Sequence, residues 1–533
     1  MKLPLQNYLS NKIIDAIPRI LSLLDKNPYS STYGSFDRKY WQYKIMDYPC
    51  GMQQELVRPL AYVWKTEFGG NRYYQLPRIK DWLEGIFLYH KKSCHQDGSM
   101  DDYFPYERAF GATAYALAAL TETALETSLF PKSVLFSLET SAAFLAEYRE
   151  CGMLSNHLAI AACALINLHA LTGNVRWKEE SARLIEELAA VQSSEGWFPE
   201  YEGCDLGYQT VTIEYLARCY RRSPSDGLLG MLRRCIAFVR LFAHPDGSLG
   251  GEYCSRNTYN FYPGGFAIMS PHIPEAAEML GLFFDGIRTG SCNYLEDDGV
   301  FGHLLSSYVT VLTAKDFLIT SPMSVLCVKS ATFEYFPQSG LFIGRTGNIA
   351  VFGSSDKGGV YKIFKGRDFI WSDTGLVGKL SDGMIFCQNK HCISQAVCKK
   401  KEIVITGRMQ KFSSKRLTRI KMIGLRVLSM LFGQFRGYSK AIRFIMQRIL
   451  IYNRRRLPIL FERVITLADS RMTVKDSLLI VGNAKITELY RSTDCVDLHV
   501  VTSDSFQRVN LLAWEKLDPD VLVVEKNYEW GRP

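Results

Sequence analysis

Through residues 1–320 apolar side chains recur at spacings of three and four, as in AFGATAYALAALTETAL (109–125) and HLAIAACALINLHAL (157–171). That is the period of helices with one buried face. The opening MKLPLQNYLSNKIIDAIPRILSLL shares it and reads as an amphipathic helix. It lacks the basic end, compact apolar core and small-residue cleavage site of a secretory leader, so no secretion is expected. Glycine-containing phrases interrupt the helices: QDGSMDDYF around Gly98, CGMLSNH around Gly152, SSEGWFPEY around Gly196 and HPDGSLGGEY around Gly247, which lie 54, 44 and 51 residues apart. A repeat of roughly 50 residues with two helices per unit describes stacked helical hairpins, none of which buries its apolar face alone. An α-solenoid or an α/α toroid fits this spacing. The Gly, aromatic, carboxylate and Asn content of the loops suggests a shared functional face, which favours an incomplete toroid whose loops line a cleft.

From about residue 325 the period shortens to two. ATFEYFPQSGLFIGRTG, NIAVFGSS, GGVYKIFKGRDFIWSDTG and AKITELYRSTDCVDLHVVTS alternate apolar with polar positions and are punctuated by turn residues. The expected fold class is therefore α+β multidomain, with an α/α toroid over 1–320 followed by an antiparallel β-sandwich over 325–533. Lys365-Gly366-Arg367 stands where a hairpin turn is required between YKIF and DFIW. A basic helical insert over 407–458 interrupts the strands.

Composition changes this picture in two ways. The 533 residues are 47% apolar and 22% charged, ordinary for a folded globular chain, and no uncharged apolar run reaches the ~18 residues of a membrane-spanning helix. Fourteen cysteines occur without a CxxC or a Cys/His cluster; reduced thiols without structural zinc fit a cytoplasmic protein. The charge is uneven. Between Lys399 and Arg456 stand 17 Lys and Arg against one acid, Glu402, in a chain whose net charge is only +9, so the remainder is mildly acidic. From Arg416 to Arg456 the insert sets Leu, Ile, Met and Phe at helical spacing beside these cations. Such a helix pair suits an anionic membrane surface, which predicts peripheral attachment on the inner face of the cell membrane. Packing on the same protein or on another subunit is the plainer reading. Nucleic acid is not expected, because stacking aromatics are sparse among the cations.

The chain has no GxxxxGK[ST], no GxGxxG between strand and helix, no HExxH and no GxSxG, which removes nucleotide-driven and serine-hydrolase chemistry. No cofactor is implied. Asn156-His157 opens a helix directly after a repeat loop, and Asp205-Leu206-Gly207-Tyr208 stands at the next such boundary. Taken singly, Asn156 reads as a helix N-cap and Tyr208 as a core aromatic. The loop Asp97, Asp101, Asp102 and Glu107 offers paired carboxylates for a glycosidase.

An Asn-His pair on one hairpin and a Tyr about one repeat later, in a toroid followed by a β domain, resembles the heparinase II/III-like and alginate-lyase group of polysaccharide lyases. The resemblance implies that Asn156 and His157 contact a uronate carboxylate and that Tyr208 handles the protons. The phrase GGEYCSRNTYNFYPGGF (250–266) is similar to the family's last toroid loop, which makes Arg256 and Asn257 substrate contacts. Tyr253, Tyr262 and Trp197 crowd the same loops as sugar-stacking candidates, and His303, with Tyr308, reaches toward the cleft from the β junction. A family His-x-Asp metal element corresponds here to Ser354-Ser355-Asp356, so no metal is expected.

The chemistry accounts for such a set. Removing the hydrogen at C5 of a uronic acid requires donors that neutralise the carboxylate and stabilise enolate-like charge. A Tyr can take that proton and protonate the leaving oxygen at C4, provided a cationic neighbour such as His157 or Arg256 lowers its pKa from ~10. The expected function is β-elimination on an anionic, uronic-acid-containing polysaccharide or oligosaccharide. The alternatives are a uronate C5-epimerase or glycoside hydrolase on the same scaffold, and a non-catalytic glycan-binding scaffold protein of polysaccharide biosynthesis.

Overall fold

The computed structural model describes residues 2–150, 152–201, 203–292, 295, 301–321, 328–390, 394–412, 418–450, 456–496 and 512–530. The helices run in the order α1 (Lys2–Leu23), α2 (Arg38–Trp41), a 3-10 turn (Gly51–Leu56), α3 (Val57–Lys65), α4 (Pro77–Ser93), α5 (Phe110–Thr127), α6 (Leu135–Glu147), α7 (Ser155–Thr172), α8 (Val175–Val191), α9 (Leu206–Arg222), α10 (Asp226–Leu241), α11 (Gly264–Met269), α12 (Pro274–Thr289) and α13 (Phe301–Thr313). Alternate helices form an inner ring. α5 packs on α7, α7 on α9, α9 on α11 and α11 on α13, and the 3-10 turn touches both α13 and α5. Sequence explains which helices lie inside. α5 and α7 are apolar almost all round and carry Ala at close-packed positions, whereas α8 buries only Trp177, Ser181, Leu184 and Leu188 along one stripe.

Three of the four repeat phrases, those around Gly98, Gly196 and Gly247, form one recurring turn. His95 N donates to Ser99 O and Gly98 N to His95 O; Ser193 to Trp197 and Gly196 to Ser193, then His244 to Ser248 and Gly247 to His244, repeat that pattern. The turn glycines adopt positive φ, +81° at Gly98 and +93° at Gly247. A Cβ on Gly98 would lie 2.4 Å from the Ser141 nitrogen of α6, and one on Gly247 2.5 Å from Gly286 of α12. The period of the sequence is thus the spacing at which a loop must press against the backbone of the following outer helix.

Two antiparallel sheets follow. The first holds β1 (Val328–Phe336), β2 (Leu341–Gly347), β3 (Ile349–Ser354), β4 (Val360–Lys365) and β5 (Asp368–Asp373) in sequence order. Lys365 pairs with Asp368 across the turn at Gly366-Arg367, where the hairpin was expected. The second sheet contains β6 (Gly375–Leu380), β7 (Ile385–Cys387), β8 (Gln395–Lys399), β9 (Glu402–Lys411), β10 (Arg456–Leu467), β11 (Arg471–Ile480), β12 (Ile486–Ser492), β13 (Glu515–Leu517) and β14 (Val523–Glu529), in the order β13-β12-β6-β7-β9-β10-β11-β14 with β8 also on β9. The first sheet is buried on both faces. Leu341, Ile343, Ala350, Phe352 and Val360 join the helical core, while Phe342, Val351, Tyr361 and Ile363 meet Ile403, Ile405, Phe461 and Ile465 of the second sheet. Alternation of period two thus divides each strand between two cores. The last part of the expected 484–503 strand, from 497 on, lies outside the described residues.

Between β9 and β10 stand two further helices, α14 (Arg419–Phe432) and α15 (Arg436–Leu450). β9 continues to Lys411 and β10 starts at Arg456, so the strands bracket the insert more tightly than the expected 407–458. Arg416 lies outside the described residues. Among those described, no helix is long and apolar enough to cross a membrane.

Candidate active site

The starts of α7 and α9 and the loop before α11 are bound together by buried carboxylates. Asp205 caps α9 by accepting from Tyr208 N at 3.1 Å, and it also accepts from the Arg256 backbone N at 3.0 Å and from the Thr258 hydroxyl. This one side chain fixes Arg256 over the new helix. The Arg256 guanidinium lies 4.5 Å from the ring centroids of both Tyr208 and Tyr201, a cation–π sandwich in which its charge is largely desolvated. Burial pushes the Tyr208 phenol up to about 12 and Arg256 opposes the shift. Tyr208 therefore rests protonated. The cationic neighbour that the chemistry demands is present, but burial outweighs it.

Glu200 does the same for α7. Its Oε1 accepts from Asn156 N at 2.9 Å and its Oε2 from Asn156 Nδ2 at 2.8 Å. Burial raises the Glu200 carboxyl to about 8 against the pull of Arg256. Asn156 is fully buried and its Oδ1 has no hydrogen-bond partner. The amide group expected to touch substrate is thus spent on Glu200.

His157 is half-buried, with Nδ1 2.5 Å from Glu150 Oε1. Its ring lies against Gly111 of α5, where a Cβ would sit 2.6 Å from Cε1. Burial raises the Glu150 carboxyl, but His157 and Arg443 outweigh it and bring it down to about 2. An ionised Glu150 accepts, so Nδ1 is the donating nitrogen of the pair. Arg443 arrives from α15. It binds Glu150 with one nitrogen and Glu107 with the other, the latter at 2.9 Å. The basic insert therefore supplies a buried cation to the cleft wall. Neither Arg443, Glu150 nor Glu200 was identified from sequence. Glu200 was legible as the carboxylate closing the SSEGWFPEY repeat phrase, whereas nothing local marks Arg443.

The remaining candidates divide. His303, on α13, pairs through Nδ1 with Glu55 and lies 4.4 Å from the Tyr115 ring. Burial lowers its pKa, but Glu55 wins and the net shift is upward. Asp102 ties this end to the other: burial raises its carboxyl, and Arg443, His157 and His303 all oppose that shift. Tyr262 is buried, and its backbone N donates to the Thr210 hydroxyl of α9 at 3.1 Å. Tyr253 does not belong here. It is wholly buried and its hydroxyl contacts His244 Nε2 at 2.8 Å, a packing role that corrects the sugar-stacking expectation. Trp197 is 8% exposed and donates to Glu195 Oε2 at 3.0 Å, where Glu195 also receives Gln338 N and Ser339 N; it anchors the sheet junction, not the cleft. Asn257, at φ +59°, is 2% exposed; its Oδ1 accepts from Lys357 Nζ at 2.8 Å, and its buried Nδ2 has no hydrogen-bond partner. Tyr308 packs edge-on against Phe283.

The acidic loop is structural. Asp101 accepts from Tyr106 N, Arg108 N and His95, Asp97 pairs with Arg108, and Glu107 accepts from Asp102 N and Tyr103 N. A cavity of about 660 Å³ lies beside it, lined by Tyr48, His95, Asp97, Tyr106, Arg108 and Gln434, away from Tyr208. The stretch corresponding to a metal element does not fit one. Ser355 Oγ donates to Gly340 O at 3.0 Å, and among the described residues no group of three or more His, Cys, Asp and Glu converges.

No family model matches the chain, and no curated protein sequence matches it. Solved structures do. A chondroitin AC lyase of Streptomyces coelicolor A3 aligns over 92% of this chain and 68% of its own, at 8% identity and a TM-score of 0.50. A chondroitinase AC lyase gives 91%, 66%, 8% and 0.49, and heparinase III gives 83%, 64%, 10% and 0.48. The chain spans just under two thirds of the length of these last two, 66% and 64%. Residue identities this low show architecture alone: the chain has the polysaccharide-lyase fold, an α/α toroid followed by antiparallel β-sheets.

Proposed function

We propose that this protein is a lyase of uronic-acid-containing glycans that works by proton abstraction at C5 and elimination at C4. The observation that carries the reading is the Arg256 guanidinium held against Tyr208 and Tyr201 at the loop ends of the toroid. Arg256 is the donor beside which a substrate carboxylate is neutralised, so that charge developing at C5 is met by a fixed cation in a desolvated site. Tyr208, protonated at neutral pH, is set to give its proton to the departing C4 oxygen. His157 is the base, with Nδ1 held by Glu150 and Nε2 left to accept the C5 proton. Asn156 and Glu200 position the start of α7 and make no direct contact with the sugar. This divides between two residues the proton work first assigned to Tyr208 alone. The solved chondroitin AC lyase that shares the architecture supports the reaction class.

The test is the ultraviolet absorbance of an unsaturated uronate product, followed with wild type and Tyr208→Phe on a panel of uronic-acid polymers and oligosaccharides. A rise with wild type alone supports the assignment. Absence of any rise, with deuterium from solvent appearing at C5, makes the protein an epimerase; absence of both leaves a glycan-binding scaffold.

A further inference from the structure

The insert has two unlike sides. Its inner side is fully engaged by the toroid: Arg443 with Glu107 and Glu150, Arg426 with Asp47 at 3.1 Å, Lys440 5.0 Å from the Tyr148 ring, and the Gly433 carbonyl accepting from Arg108 at 3.4 Å. Ser429 and the Tyr438 hydroxyl, 2.7 Å apart, join the two helices to each other. Among the described residues nothing covers the outer side. Ile420, Ile423, Val427 and Leu431 form a helical stripe that is 82%, 64%, 48% and 63% exposed, with Met430 at 81% and Phe435 at 65% beside it. Around this stripe Arg419 and Lys421 are exposed, and between Phe412 and Arg456 the chain carries 12 Lys and Arg and no acid.

The exposed charges beside the open apolar stripe, Arg419 and Lys421, are both positive, the complement of an anionic surface that also offers an apolar interior. From this pairing of exposed apolar face and uncompensated positive charge we infer that the α14–α15 hairpin docks on an anionic lipid bilayer, with Ile420, Ile423, Met430 and Leu431 among the acyl chains and Arg419 and Lys421 at the headgroups. Neither helix spans the bilayer; the hairpin lies in its surface. The same hairpin delivers Arg443 to the cleft wall, so docking fixes that wall against the lipid. Docking itself is independent of the lyase reading and is read out without any glycan.

The experiment is co-sedimentation of the full chain with vesicles of phosphatidylcholine, with and without phosphatidylglycerol. The expected result is retention by the anionic vesicles only. Ile423→Asp/Met430→Asp/Leu431→Asp should abolish it, and Lys421→Glu should weaken it about fivefold or more, since each basic residue contributes ~1 kcal/mol at such a surface. Thermal unfolding of each variant distinguishes loss of docking from loss of fold. Three results overturn the inference: wild type that ignores anionic vesicles, a folded triple variant that binds as wild type does, or a wild-type dimer, indifferent to vesicles, that the triple variant turns into monomer. The last outcome assigns the stripe to a contact between copies of this chain.

Discussion

Two of the clusters of buried charge in this molecule differ in where their members come from. Between the sheets, Arg463 and Arg491 meet Asp373 and Asp476 at distances from 2.6 to 3.1 Å, with all four side chains at most 1% exposed. Two cations face two anions drawn from β5, β10, β11 and β12, and Arg491 Nε also approaches Glu515 at 3.7 Å. In the toroid cleft, Arg256, Arg443, His157, His303, Glu150, Glu200, Asp102 and Tyr208 come from separate repeats and from the insert. Their protonation is pulled in different directions: Glu150 down to about 2, Glu200 up to about 8. The Asn156 Oδ1 and Arg256 Nε atoms have no hydrogen-bond partner. Unpartnered atoms do not separate the two clusters, because Arg491 Nε and Nη2 also lack a hydrogen-bond partner; what marks the cleft is a pair of carboxyls shifted in opposite directions, the pattern of groups set for proton chemistry.

The comparison breaks most sharply at Tyr208. Tyr208→Phe should cut turnover by ~10²–10⁴-fold, the range for losing a general acid, while the denaturant midpoint stays within experimental error of wild type. In the sandwich the opposite is expected. Arg463→Leu leaves Asp373 and Asp476 short of a cation and should cost about 3–5 kcal/mol of stability, measured by urea unfolding, with the kinetics of the surviving folded fraction unchanged. Arg443→Ala falls between these, because His157 still holds Glu150. A loss of roughly 1–3 kcal/mol is expected from the unmet carboxylates, and turnover should fall beyond what the unfolded fraction explains.

The smallest effect is on pH dependence, and here the two regions differ in sign. Burial raises the Asp373 carboxyl, but Arg463 and Arg491 outweigh it and hold it down at about 2. A folded pKa below the unfolded value contributes stability that is present at neutral pH and is lost as pH falls from about 4 through 2. Glu200 has its folded pKa raised to about 8. Its proton is bound in the folded state and absent in the unfolded one between roughly pH 4.5 and 8, so stability should decline as pH rises across that window, by at most ~1.4 kcal/mol per pH unit. Glu200→Gln should flatten the alkaline decline and leave the acid limb as in wild type. An unchanged alkaline slope in that variant would mean that Glu200 is ionised in the folded protein.

The position of Asn156, His157 and Tyr208 at loop-to-helix boundaries was readable because each follows a repeat phrase with a left-handed glycine, Gly152 or Gly196, and at Gly196 a Cβ would also meet the Arg234 backbone of the next outer helix. What the side chains do there was not readable. The direction of the Asn156 amide depends on Glu200, 44 residues on, and Tyr253 turned out to serve the core because His244 stands beside its hydroxyl. Trp197 and Asn257 were plausible from their loops, yet Trp197 donates to Glu195, which itself accepts from Gln338 and Ser339 of the β region, and Asn257 accepts from Lys357.

The amino-acid sequence by itself determined the helical repeat, the change to strands after residue 325, the hairpin at Gly366-Arg367 and the concentration of positive charge in the insert. These follow from periodicity, turn chemistry and composition, all of which act over a few residues. Only the tertiary structure decided that the insert folds back so that Arg443 reaches Glu150 and Glu107, 293 and 336 residues away in the chain. It also decided that Arg256, and not His157, lies on the Tyr208 ring. Pairing of this kind is set by which surfaces remain to be covered once the ring and the sheets have formed, and long-range electrostatics in a desolvated cleft leaves no local pattern in the sequence.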